Sequence, residues 1–93
     1  MFKHNPRITC SDGFNISVQC HDGSYCARDQ YGKPVTVECG FPSTKPKTKE
    51  LLEFAEHFGD SDYTTTVYGW VPVEIVQAEL DAHGGIVDGE MPR

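Results

Sequence analysis

Four cysteines and four histidines are the residues that could do chemistry in this 93-residue chain. Cys10, Cys20, Cys26 and Cys39 are separated by nine, five and twelve residues, without the close Cys-x-x-Cys pair that presents two thiolates to one zinc ion. All four remain the only zinc set the sequence offers. His21 follows Cys20 directly, but strand neighbours point to opposite faces, so the two do not readily share a metal. A cysteine nucleophile needs a histidine within reach and a group to orient it, and no local signature pairs His4, His21, His57 or His83 with a thiol. His83 falls in the last turn of a helical pattern, where a cation complements the negative end of the dipole. Glycine-rich phosphate loops and the His-Glu-x-x-His pattern are absent. Asp60-Ser61-Asp62 resembles the start of a calcium loop, yet positions six and twelve hold Thr65 and Val71 rather than Gly and Glu. The expectation is a chain with no catalytic site, no cofactor and no bound metal.

Charge gives the strongest functional hint. Fourteen acidic residues oppose eight Lys and Arg, a formal charge of −6. Nucleic-acid affinity comes mainly from cations that displace phosphate counterions, so direct nucleic-acid binding is not expected. Lys45, Lys47 and Lys49 are the one basic cluster and read as a solvated loop. Glu50, Glu53, Glu56, Asp60 and Asp62 lie within thirteen residues, with no Lys or Arg among them. Solvation of a helix face accounts for such a stripe. The sharper reading is a surface that docks on a basic groove of another protein.

The elements that would carry these residues follow from periodicity. Ile8–Cys10 and Asn15–Cys20 flank the turn Ser11-Asp12-Gly13, and Ile16, Val18 and Cys20 share one face. Turns at Asp22-Gly23-Ser24 and Asp29–Gly32 lead to further strands, with Val35, Val37 and Cys39 alternating. Thr48 caps a helix whose apolar side gathers Leu51, Leu52, Phe54, Ala55 and Phe58, ending at Gly59. Thr64–Trp70 reads as a strand. Tyr68 and Trp70 on it fit a core, or an interface where such residues act as anchors. Pro72 opens a second helix, capped by Gly84-Gly85. The fold class is therefore α+β: an antiparallel β-meander followed by helix, strand and helix, with both helices on one face of the sheet. One domain spans residues 1–93, with 1–7 and 88–93 as loose ends. A core this small makes a homodimer an ordinary remedy.

No apolar run reaches the length of a membrane span, and the first residues lack a signal-peptide pattern. This points to the cytoplasm and to four reduced thiols.

His4-Asn5-Pro6, Ile8-Thr9-Cys10, Asp12-Gly13-Phe14, Ser17-Val18-Gln19, Gly40-Phe41-Pro42-Ser43, Thr66–Pro72 and His83-Gly84-Gly85 together resemble a family of small phage- and prophage-encoded proteins. The resemblance runs from His4 to Gly85, and the motifs are specific as a set rather than singly. No activity is established for that family, so no site is carried over. The resemblance implies an accessory protein in the host bacterial cytoplasm that binds a host or defence protein without catalysis. The alternative is a structural or virion-associated protein, zinc-stabilised through its cysteines.

Overall fold

A computed structural model describes residues 4–56 and 62–93. Among the described residues, six strands and two helices follow one another as β1 (Ile8–Cys10), β2 (Asn15–Gln19), β3 (Ala27–Arg28), β4 (Pro34–Gly40), α1 (Lys49–Leu52), β5 (Val67–Pro72), α2 (Val73–Ala82) and β6 (Ile86–Asp88). All pairings are antiparallel. β2 and β3 follow each other along one edge of β4, and β5 runs along the other. β1 and β6 extend the sheet beyond β2.

Alternation decides which face is buried. Ile8 opposes Ile16, Val18 opposes Cys39, and Cys39 opposes Tyr68, so these side chains point the same way. Together with Leu51 of α1 and Val76 and Leu80 of α2 they form the core, each at most 1 % exposed. The small α+β class is as the periodicity implies. The β1–β2 turn is also as expected, with Gly13 at φ 94° and the Phe14 amide donating to Asp12 Oδ1 at 2.9 Å. No helix among the described residues is long and apolar enough to cross a membrane.

Three expectations are corrected. The apolar periodicity predicts a first helix reaching residue 58, yet α1 is a single turn. Thr48 does cap it, accepting from the Leu51 amide at 3.4 Å. The chain then leaves the helix because β5 takes its backbone: Ala55 bridges Tyr68, and the Glu56 amide donates to Val67 O at 2.9 Å. Phe58 and Gly59, part of the expected helix, lie outside the described residues.

The ends are not loose where they are described. β6 pairs with β1, and Met91 packs against the core. Asn5 Nδ2 donates to Glu90 O at 2.8 Å, and Arg28 Nη1 to Arg93 O at 3.0 Å. A three-residue strand following a Gly-Gly pair carries too little alternation to be read from sequence.

Cys20 and Cys26 form a disulfide, with Cα atoms 5.5 Å apart, instead of two thiols. The turn between them closes through the Ser24 amide on His21 O, at 2.9 Å, and brings the pair together.

Candidate functional site

The most concentrated polar cluster lies where α2 ends. Gly84 and Gly85, at φ 89° and 86°, close the helix by donating to Asp81 O and Leu80 O. This leaves His83 as the C-cap, 3 % exposed, with Phe14 stacked on its ring at 3.8 Å between centroids. His83 Nδ1 lies 2.7 Å from Asp12 Oδ2, and Nε2 lies 2.7 Å from Glu79 Oε2. Glu79, 1 % exposed, also accepts from the Lys47 amide, the Thr48 amide and the Thr48 hydroxyl at 2.7–2.8 Å. Burial alone would raise its pKa, but the hydrogen bonds from Lys47, Thr48 and His83 outweigh burial and hold that pKa below the ordinary carboxyl value. Asp12 is likewise held down, first by the Phe14 amide and then by His83.

This cluster is a clamp. A carboxylate only accepts, so the imidazole satisfies both neighbours when each ring nitrogen carries a proton. A general base needs a free nitrogen facing a substrate, and both are occupied here. Cys10 is buried, and burial followed by the Asp12, Glu79 and Asp81 charges raises its pKa, which disfavours the thiolate. The clamp joins three segments: the β1–β2 turn, the entry to α1 and the end of α2. From the sequence alone His83 reads only as a cation at the helix dipole, and Glu79 carries no role. The available signal was an acid four residues before a histidine, within the apolar side formed by Val76 and Leu80.

The structure divides the candidate zinc ligands. Cys20 and Cys26 are bridged, while Cys10 and Cys39 are buried thiols. Among the described residues no group of three His, Cys, Asp or Glu side chains could hold a metal ion. A polar cleft of about 750 Å³ runs past the disulfide, with His4, His21, Arg28 and Glu90 on its walls. Arg28 already donates to Cys20 O, Gly32 O and Arg93 O, which ties this cleft to the fold.

The acidic residues do not form one helix face. Glu50 and Glu53 are exposed around α1. Asp62 is also exposed, but its Oδ1 accepts from the amides and hydroxyls of Thr64 and Thr65 and organises that turn. Glu56 is half-buried beside β5, and Asp60 lies outside the described residues.

β5 carries a feature that the sequence left open. Val71 opposes Val37 and Tyr68 opposes Cys39, so two residues, Gly69 and Trp70, oppose Glu38 alone. In this bulge Trp70 adopts φ 57°, a left-handed conformation that costs a non-glycine residue about 1–2 kcal/mol. Its side chain is 55 % exposed, whereas Tyr68 is fully buried. Tyr25, 49 % exposed, lies against it with centroids 6.1 Å apart and planes 24° apart. The Trp70 amide donates to Tyr25 O at 3.0 Å, and the Tyr25 amide to Glu38 Oε2 at 3.4 Å. A Cβ on Gly69 would lie 3.1 Å from Glu56 Oε2 and 3.3 Å from the Tyr25 side chain, so Glu56 and Tyr25 meet over a residue that must be small.

Comparison with protein-family models, with curated proteins and with solved structures finds no match for this chain.

Proposed function

We propose that the chain is a non-enzymatic protein-binding module that uses the Tyr25–Trp70 surface. In the setting implied by the phage-family resemblance, it is an accessory protein acting on a bacterial host or defence protein. One observation carries the reading: a tryptophan held in a strained left-handed conformation, more than half exposed, on a bulge where β5 pairs with β4. Packing alone would favour glycine or asparagine there. Strain that persists at an exposed aromatic is a common mark of a functional position. Tryptophan and tyrosine are also the side chains that most often dominate binding energy.

The buried thiols and the occupied His83 nitrogens support binding rather than catalysis. The formal charge of −6 favours a basic partner surface, with Glu50 and Glu53 as rim charges. The test is capture from nuclease-treated bacterial lysate by the tagged protein and by its Trp70→Ala and Glu50→Lys/Glu53→Lys variants. Loss of a salt-sensitive partner with Trp70→Ala is the expected result. Equal capture by Trp70→Ala would overturn the reading, and equal capture by the charge-reversed protein would remove Glu50 and Glu53 from it.

A further inference from the structure

We infer that the Tyr25–Trp70 surface receives an arginine side chain of its protein partner; this deepens the binding reading above and rests on it. Three observations converge on that chemistry. The two rings lie within 24° of parallel and each residue is about half exposed, and a guanidinium is the planar cation that stacks on aromatic rings. Two carboxylates lie on the Tyr25 side of the pair. Glu38 Oε2 accepts from the Tyr25 amide, and Glu56 Oε2 lies at Gly69 beside the Tyr25 side chain. Glu56 Oε2 is buried without a hydrogen-bond partner, and neither carboxylate is engaged in an ion pair among the described residues.

The last observation separates this surface from an ordinary exposed aromatic patch. A carboxylate oxygen without a donor, beside a partly dry aromatic surface, attracts a cation more strongly than the same group in open solvent. Elsewhere in the fold the buried carboxylate Glu79 is fully satisfied by donors. At Glu56 a donor is missing, and an incoming cation supplies the opposite charge. The left-handed turn at Trp70 sets the indole beside Tyr25 before any partner arrives, which lowers the ordering cost of association.

Trp70 is the chain's single tryptophan, so its emission reports this surface directly. The probe is the capped peptide Gly-Arg-Gly, titrated beside the same peptide with citrulline, which keeps the planar shape without the charge. The expected result is a saturable, salt-sensitive change in Trp70 emission with the arginine peptide and roughly tenfold weaker binding of the citrulline peptide. Glu56→Gln and Glu38→Gln should each weaken arginine binding several-fold, with the far-ultraviolet dichroism unchanged. Equal titration by the two peptides, or no response to either, overturns the arginine assignment. Partner capture that still depends on Trp70 would then leave the binding reading standing. Capture indifferent to Trp70→Ala removes that reading itself, so the two failures are distinct.

Discussion

His83 Nε2 lies 2.7 Å from Glu79 Oε2, one helical turn earlier, and both side chains are almost fully buried. Glu79 is the node of the clamp because it also accepts three bonds from Lys47 and Thr48. Glu79→Gln keeps the shape but places an amide donor among donors. It should destabilise the protein by about 3 kcal/mol, as expected when one partner of a buried pair is lost. Urea denaturation followed by far-ultraviolet dichroism measures this. A change below about 1 kcal/mol would mean that Glu79 does not hold the clamp.

The same cluster sets the response to acid. Asp12 and Glu79 are held below their ordinary values of 3.8 and 4.5, so folding favours their charged forms. Their contribution is complete above those unfolded values and is lost as pH falls through the lower folded ones. The contribution of these two carboxylates should therefore be level above about pH 5 and decline progressively below pH 4. In Glu79→Gln the decline should be shallower. Urea midpoints collected between pH 7 and pH 3 test both statements, and parallel curves for the two proteins would contradict them.

Gly84 and Gly85 both have positive φ, yet their surroundings differ. A Cβ on Gly84 would lie 2.9 Å from Ser11 Cβ, whereas a Cβ on Gly85 meets nothing within 4 Å. Gly85→Ala should cost only the left-handed penalty of about 1–2 kcal/mol. Gly84→Ala must also push Ser11 away and disturb the adjacent Asp12–His83 contact, so its cost should be larger. Equal thermal midpoints for the two variants would show that the Ser11 turn yields freely.

Strand periodicity revealed most of the sheet, because alternation at Ile16 and Val18, and at Val37 and Cys39, reports a single buried face. The limits of α1 were hidden. Leu51, Leu52, Phe54 and Ala55 have helical spacing, but the backbone at Ala55 and Glu56 bonds to β5, a tertiary choice that local spacing does not encode. The clamp was half legible, since Glu79 and His83 are one turn apart while Asp12 is distant in sequence and meets them only through the β1–β2 turn. The Tyr25–Trp70 surface was not legible. It depends on a bulge that turns Trp70 outward while Tyr68, two residues earlier, turns in.

The cysteines should behave as two classes. Cys20–Cys26 should resist labelling until reduced, and Cys39, whose pKa burial pushes upward, should label only on unfolding, together with the buried Cys10. The unreduced denatured protein should thus release two thiols, and the reduced denatured protein four. Cys20→Ser/Cys26→Ser should cost about 2 kcal/mol for so short a loop. It should also shift Trp70 emission, because Tyr25 precedes Cys26 and bonds to the Trp70 amide. Four thiols without reductant would contradict the bridge.

Trp70 and Tyr68 provide the sharpest contrast between a residue kept for stability and one kept for contact. Tyr68 is fully buried and donates its hydroxyl to Tyr63 O at 2.6 Å, so Tyr68→Ala should cost about 3–5 kcal/mol. Trp70→Gly removes a half-exposed ring but also relieves a left-handed conformation worth about 1–2 kcal/mol. The two effects oppose, and the variant should stay within about 1 kcal/mol of the parent while losing Trp70-dependent binding. Urea midpoints by far-ultraviolet dichroism, which needs no tryptophan, measure the first quantity and partner capture the second. If Trp70→Gly destabilised the protein as severely as Tyr68→Ala, packing would explain the tryptophan and the strain would no longer point to a partner.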